Sequence, residues 1–406
     1  MHLICRTARF IFRIVASIIL IAIMAVLITG ISPVYRFQEP SPFEGPDIFN
    51  PYRNLDTAFC WKRANFHTHT RVEGILNECE YWPDKVYDEY MKYGYDIVTF
   101  SNHNELTQHP YDPALQVNVY EHGWNLLKFH KLVFGCSDEM AFDHILPVTA
   151  SQKQFQINLL RKDSDIIQIN HPLRTFTCSK EQMQKLGGYQ IMELDSGKST
   201  ENEYWDWALS AGRYSFALAN DDLHYPDRSR CIAVRCNFLC CPSAGYDDIR
   251  KTLLDGCYYS MRVPDYGKGN PDEKTARNKA LPHITDIGLA DSTAYISLSR
   301  IADSIKVTGQ DHRTLMMTSQ TDNASYTFRK EDPYARFTAY FPDGEVIYTN
   351  PFARYDSSVA EMPACAIQNE ISAVLTILYN LTLALACALT AMGFIKLNFK
   401  NGKDKE

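Results

Sequence analysis

Five places in this sequence put histidine or an acidic residue directly after a short apolar run. The first is His67-Thr68-His69; side chains two apart on a strand face the same way, so both imidazoles can reach one metal ion. His103 follows the run Ile97 to Phe100, and Glu139, with His144 beyond it, follows Leu132 to Phe134. His171 stands in Gln168-Ile169-Asn170-His171-Pro172, and Asp222-Leu223-His224 follows Phe216 to Ala219. A set of imidazoles and carboxylates without cysteine suits zinc, manganese or iron better than calcium or magnesium. The set holds more ligands than one ion needs, which implies at least two divalent ions.

Two such ions roughly 3.5–4 Å apart lower the pKa of a bridging water and clamp the attacking and leaving oxygens of a phosphoester. Hydroxide generated on the metals then serves as nucleophile, and there is no nucleophile-elbow pattern to supply a serine instead. Arg174, three residues after His171, is placed to clamp a phosphate oxygen bidentately, or to form a salt bridge on the rim. Lys198 and Arg228 are candidates of the same kind.

The elements that must carry these residues can be read from the pattern between them. From about 59 to 265 short apolar runs (YDIVTFSNH, KLVFGC, DIIQINHP, YQIMELDSG, RYSFALANDD) alternate with helical stretches such as PDKVYDEYMKYG and GYDDIRKTLLDG, which end in Gly as a helix C-cap does. Strand–helix alternation predicts a mostly parallel sheet, open or closed, with the ligands at its carboxyl ends. A polar linker over 266–281 follows, then a strand-rich segment over 282–358 with Pro342-Asp343-Gly344 as a hairpin signal, read as a small β-sandwich.

Phe66 to His69, Ser101-Asn102-His103-Asn104, Gly135 to Glu139 with His144, Asn170-His171-Pro172 and Asp221-Asp222-Leu223-His224 together resemble the motifs of the PHP (polymerase and histidinol phosphatase) family. The resemblance covers roughly Asn65 to Val263. It implies a distorted seven-stranded (β/α) TIM-like barrel, a two- or three-metal cluster at its mouth and hydrolysis of phosphomonoesters or phosphodiesters. The metal ligands it implies are His67, His69, His103, Glu139, His144, His171, Asp222 and His224, with Glu73 of Glu73-Gly74 standing where the family commonly has Asp-Gly. Asn102 replaces the family's usual Asp, and the segment Gly135 to Glu139 carries an insertion that leaves Asp138 as the alternative to Glu139. Rival readings are a metal-dependent amide or ester hydrolase and a non-catalytic binding or sensor module stabilised by its metal.

The ends of the chain set its surroundings. Residues 14–31 (IVASIILIAIMAVLITGI) carry no charge and are long enough to cross a bilayer, with Arg6, Arg9 and Arg13 before them. A cleaved signal peptide would have a shorter apolar region and a small-x-small exit. A second run, 371–395, is followed by the basic tail 396–406, whereas 355–371 holds no Lys or Arg. Both asymmetries place the termini (1–13 and 396–406) in the cytoplasm, and the middle, beginning with a Pro-rich linker over 32–58, outside; in a bacterium that is the periplasm beyond the inner membrane. The chain has 406 residues, 45 % of them hydrophobic, and a net charge of −7. This excludes a disordered tail and offers no basic field for nucleic acid. The expected partner is a small-molecule, lipid or glycan phosphoester. Cys231, Cys236, Cys240 and Cys241 include no C-x-x-C pair, so a structural zinc is not expected there.

Overall fold

The computed structural model describes residues 2–56, 61–74, 77–175, 177–195, 203–363 and 369–399. Each apolar run named above forms a strand. The segment from 62 to 219 contains β1 (Lys62–Asn65), β2 (Ile97–Val98), β3 (Val119–His122), β4 (Lys131–Phe134), β5 (Ile166–Ile169), β6 (Ile191–Asp195) and β7 (Phe216–Ala219). The helical stretches form α2 (Pro83–Lys92), α3 (Ala150–Leu160), α4 (Glu203–Ser210) and α5 (Tyr246–Asp255), after α1 (His2–Thr29) at the start of the chain. Local chemistry accounts for their limits. Thr149 and Gln152 close a capping box at the start of α3. Gly256 ends α5 at φ +80°, where a Cβ would sit 2.2 Å from the Phe216 ring.

β3 to β7 form one five-stranded sheet in sequence order. β4 runs antiparallel to both neighbours, while β5, β6 and β7 are parallel. β1 pairs in parallel with β2. Isolated bridges, Thr68 to Leu223 and His103 to Glu121, join the two groups where β1 and β2 end. The fold is therefore mixed α/β, and among the described residues no continuous ladder closes the expected barrel.

The strands expected to make a separate sandwich pair instead into the same sheet as β1. β8 (Arg235–Leu239) and β9 (Tyr258–Arg262) lead to β10 (Ile284–Ala290), β11 (Thr293–Gly309), β12 (Arg313–Thr327), β13 (Tyr334–Tyr340) and β14 (Val346–Thr349). The strand order is β10-β11-β13-β14-β9-β8-β1-β2, with β12 paired to β11. The Pro342-Asp343-Gly344 signal is the turn between β13 and β14, with Gly344 at φ +96°. The polar stretch expected as a linker holds a helix, Pro271–Asn278, capped by the Asn270 side chain.

One core, including Phe66, Phe134, Ile167, Met192, Trp205 and Leu218, lies around β1 and the five-stranded sheet. A second, including Tyr259, Ile305, Val307, Phe337 and Phe352, fills the strand-rich half. α1 and α6 (Ala373–Phe399) are apolar helices of 28 and 27 residues that pack on one another and leave their outer faces exposed. Both are long and apolar enough to cross a membrane. Asn380 accepts from the Ser32 N–H at 3.2 Å and donates to the Ser32 carbonyl, and Tyr379 donates to the Gly30 carbonyl at 3.3 Å.

Candidate metal centre

Glu121, the third residue of β3, is the hub of the site. Its Oε2 lies 3.3 Å from His67 Nε2, 3.3 Å from His69 Nε2 and 3.1 Å from His103 Nε2. Its Oε1 lies 3.1 Å from His130 Nδ1 and 3.2 Å from His171 Nε2. Asp222 Oδ1 stands opposite, 3.2 Å from both His67 Nε2 and His69 Nε2 and 3.3 Å from His224 Nε2. Glu78 completes the outer side, 2.9 Å from His103 Nε2 and 3.6 Å from His69 Nδ1. His67, His69, Glu121 and Asp222 each offer an atom within 4.8 Å of the others, and all four are buried.

The backbone is bent to make this possible. His171 and Asp222 adopt φ of +28° and +48°, a region that non-glycine residues rarely occupy and that costs on the order of 1–3 kcal/mol. Behind the cluster, Glu193 on β6 takes His67 Nδ1 at 2.9 Å and accepts the His171 N–H at 2.7 Å. That leaves His67 Nε2 as the nitrogen turned toward Glu121 and Asp222.

The electrostatics of the cluster favour positive charge at its centre. Burial would push the Glu121 carboxyl up, yet His103, His67 and His130 hold it well below the usual carboxylate range. Burial opposes a charged His69 ring as well, but Asp222 and Glu121 raise it to about 9. Glu78 is pulled down to about 2 by His103, His69 and His224 against the effect of burial. Buried carboxylates that draw charge onto buried imidazoles are equally served by a divalent ion bound to neutral imidazoles. His67 Nε2 supports that fit. It is buried and within 3.3 Å of two carboxylates, yet it makes no hydrogen bond of ordinary geometry among the described residues. A buried nitrogen and two carboxylates converging on one point are a donor set that suits a metal.

Of the residues anticipated from sequence, His67, His69, His103, His171, Asp222 and His224 come together. Glu139, His144 and Glu73 stand apart. Glu139 accepts the Leu106 N–H at 2.7 Å and so fixes the loop after His103. Its position follows from β4, which runs antiparallel and carries its carboxyl end away from the cluster. The ligands come from the amino end of β4, where His130 stands, and from the partner strand, where Glu121 stands. The His144 ring faces the Thr29 carbonyl between Phe142 and Phe155, and Glu73 is exposed on its loop. The fallback Asp138 accepts the Glu139 N–H. Arg174 lies in a short helix, Pro172–Thr175; its side chain and all of Lys198 fall outside the described residues. Arg228 stacks 3.9 Å from the Tyr225 ring centroid. Sequence reasoning missed Glu121, His130, Glu78 and Glu193. The run Val119-Tyr120-Glu121-His122 before Gly123 is a strand signal that would have exposed the first; nothing local marks Glu78.

The chain is similar to two solved structures. One is a two-domain protein containing a predicted PHP-like metal-dependent phosphoesterase from Bacteroides vulgatus, 15 % identical, with 77 % of this chain and 99 % of that chain covered at a TM-score of 0.39. The other is a lesion-specific endonuclease from Pyrococcus furiosus, also 15 % identical, with 48 % and 56 % covered at a TM-score of 0.34. No family model and no curated protein matches the chain.

Proposed function

We propose that this chain is a metal-dependent phosphoesterase of PHP type, held in a membrane by α1 and α6. The observation that carries the reading is the convergence of His67, His69, Glu121 and Asp222 on one buried point, with His103, His130, His171, His224 and Glu78 around it. Strands β1 to β7 arranged in sequence order, with single bridges where the two sheets meet, support a strongly distorted seven-stranded barrel as the frame. We take the hydrolase unit to span 59–265 and the strand-rich unit 282–358.

His67, His69, Glu121 and Asp222 would hold one ion, and a second fits either His69, Glu78 and His103 or His103, Glu121 and His130. Zinc, manganese and iron all suit this donor set. Such ions supply an activated water and neutralise charge on phosphoryl oxygens. The chain's own contribution is to fix the ligands. Glu193 sets the His67 ring, Asn102 accepts the Thr70 N–H at 2.7 Å, and Glu139 holds the loop that follows His103. Arg174 and Lys198 are proposed to bind the substrate phosphate. The basic residues Arg6, Arg9, Arg13 and Lys396 flank the spans at the chain's two ends, which supports cytoplasmic termini and a site on the outer face.

Metal analysis of the purified full-length protein, followed by turnover of p-nitrophenyl phosphate and bis(p-nitrophenyl) phosphate, tests the reading. Stoichiometric transition metal and hydrolysis abolished by chelation are expected. Absence of bound metal, or activity that survives His67→Ala with His69→Ala, overturns it.

A further inference from the structure

The hairpin that delivers Glu121 also carries an apolar tip. β3 ends at His122 and β4 begins at Lys131; between them Trp124 is 50 % exposed and Leu126 is 71 % exposed. Phe142 (37 %) and Val148 (53 %) are exposed on the neighbouring loop. Large apolar side chains so exposed are unexceptional singly, but these four lie on two loops that hydrogen bonds lace together. Trp124 N–H donates to Asp143 at 2.9 Å, Leu126 N–H to the Ile145 carbonyl at 2.9 Å, and His122 Nε2 lies 3.0 Å from the Phe142 carbonyl.

The same loop is tied to the end of α1. The His144 ring meets the Thr29 carbonyl, and the Ile145 N–H donates to Thr29 Oγ1 at 3.3 Å. Gln152, at the start of α3, donates to the Gly30 carbonyl at 3.3 Å. Two hydrogen bonds in series therefore connect the last turn of a membrane-length helix to Leu126. The apolar tip is thus tied to the end of that helix. Its charge fits as well: 122–130 contains Lys128 and no acidic residue, and Asp143, the one acid in 140–150, is buried.

From this continuity we infer that Trp124, Leu126, Phe142 and Val148 dock on the bilayer that α1 and α6 cross. The metal centre thereby opens onto the headgroup layer and takes a phosphoester carried by a lipid. Tryptophan at the interface, apolar side chains below it and a lysine reaching outward are the pattern of an interfacial anchor. Because Glu121 is three residues from Trp124, docking of the tip fixes the distance of the site from the membrane. The lipid-substrate part rests on the phosphoesterase reading above; the docking part does not.

The full-length protein is reconstituted in vesicles of phosphatidylcholine with phosphatidylglycerol and phosphatidic acid, with or without acyl-chain-brominated phosphatidylcholine. Brominated lipid should quench tryptophan emission, and Trp124→Phe should remove most of that quenching. Quenching unchanged by Trp124→Phe, as when a second copy covers the tip, overturns the docking. Release of headgroup or phosphate from the vesicles should exceed turnover of glycerol 3-phosphate and glycerophosphoglycerol. Leu126→Asp should lower the vesicle rate about tenfold, the order expected for withdrawing one leucine from an apolar phase, and leave p-nitrophenyl phosphate turnover unchanged. Equal rates on lipids and their water-soluble counterparts overturn the lipid substrate. If p-nitrophenyl phosphate is not hydrolysed at all, the phosphoesterase reading fails while the quenching still decides the docking.

Discussion

Glu193 joins two metal-site histidines from behind: one carboxylate oxygen lies 2.9 Å from His67 Nδ1, and the other accepts the His171 N–H at 2.7 Å. A ligand imidazole held by a carboxylate is fixed in tautomer and made more basic. Glu193→Gln keeps the shape and removes the charge. Metal affinity should fall about 10- to 100-fold, as measured by competition with a chromophoric chelator, with the thermal midpoint little changed. Unaltered affinity would show that Glu193 serves the fold alone.

Glu121 faces five imidazoles. Glu121→Ala should therefore lose metal and not merely turnover. The expected outcome is at least one ion fewer per chain by elemental analysis, with phosphoester hydrolysis reduced to background. Retention of the full metal complement with reduced rate would assign Glu121 to substrate instead.

How far the sequence revealed this site depended on strand direction. His67, His69, His103, His171, Asp222 and His224 were legible because β1, β2, β5 and β7 point the same way and end in a recognisable polar residue. β4 reverses, so its carboxyl end yields Glu139, a loop anchor, and its ligand partners lie upstream. A single-sequence pattern shows where a strand ends but not which end faces the site. The fold shows the same division. A local signal such as Gly256 marked the end of a helix correctly. The pairing of β9 with β14, which joins the strand-rich segment to the sheet of β1, was not legible because it links residues more than 80 positions apart.

Away from the metals, Asp206 on α4 is buried against Arg336, whose Nε and Nη2 donate to it at 3.0 and 2.5 Å, while Tyr334 donates at 3.0 Å. This tie fastens α4 to β13. Asp206→Ala strands a buried guanidinium, at a cost of about 3–5 kcal/mol, visible as a lowered thermal midpoint in detergent. Burial alone would raise the Asp206 carboxyl, but Arg336 and His312 bring it below the ordinary value. A depressed folded-state pKa gives stability that is complete above the unfolded value of about 3.9 and is lost as pH falls through the folded one. The wild type should thus lose midpoint steeply below about pH 4, and Asp206→Asn should flatten that slope. An identical slope would assign the acid sensitivity to other carboxylates.

Cys240 and Cys257 stand opposite one another just beyond the last register pair of β8 and β9, Leu239 with Tyr258, and the Cys240 N–H donates to the Cys257 carbonyl at 3.1 Å. Cys257 beside it lowers the Cys240 thiol below the ordinary thiol value, and the Cys240 Sγ lies 3.6 Å from the Asp56 carbonyl to which it donates. A thiolate beside a second thiol exchanges readily with a disulfide. Glutathione disulfide should react with the reduced protein to give a Cys240–Cys257 bond and two molecules of glutathione, seen as one cross-linked peptide by mass spectrometry. The bridge closes a loop of only 18 residues and is worth about 3 kcal/mol by loop entropy, so oxidation should raise the thermal midpoint, and Cys257→Ser should abolish the rise. Protein isolated with this bond already formed would also support an outward-facing site, because cytoplasmic glutathione keeps such pairs reduced. Thiols that persist in excess glutathione disulfide would show that the two sulfurs do not meet.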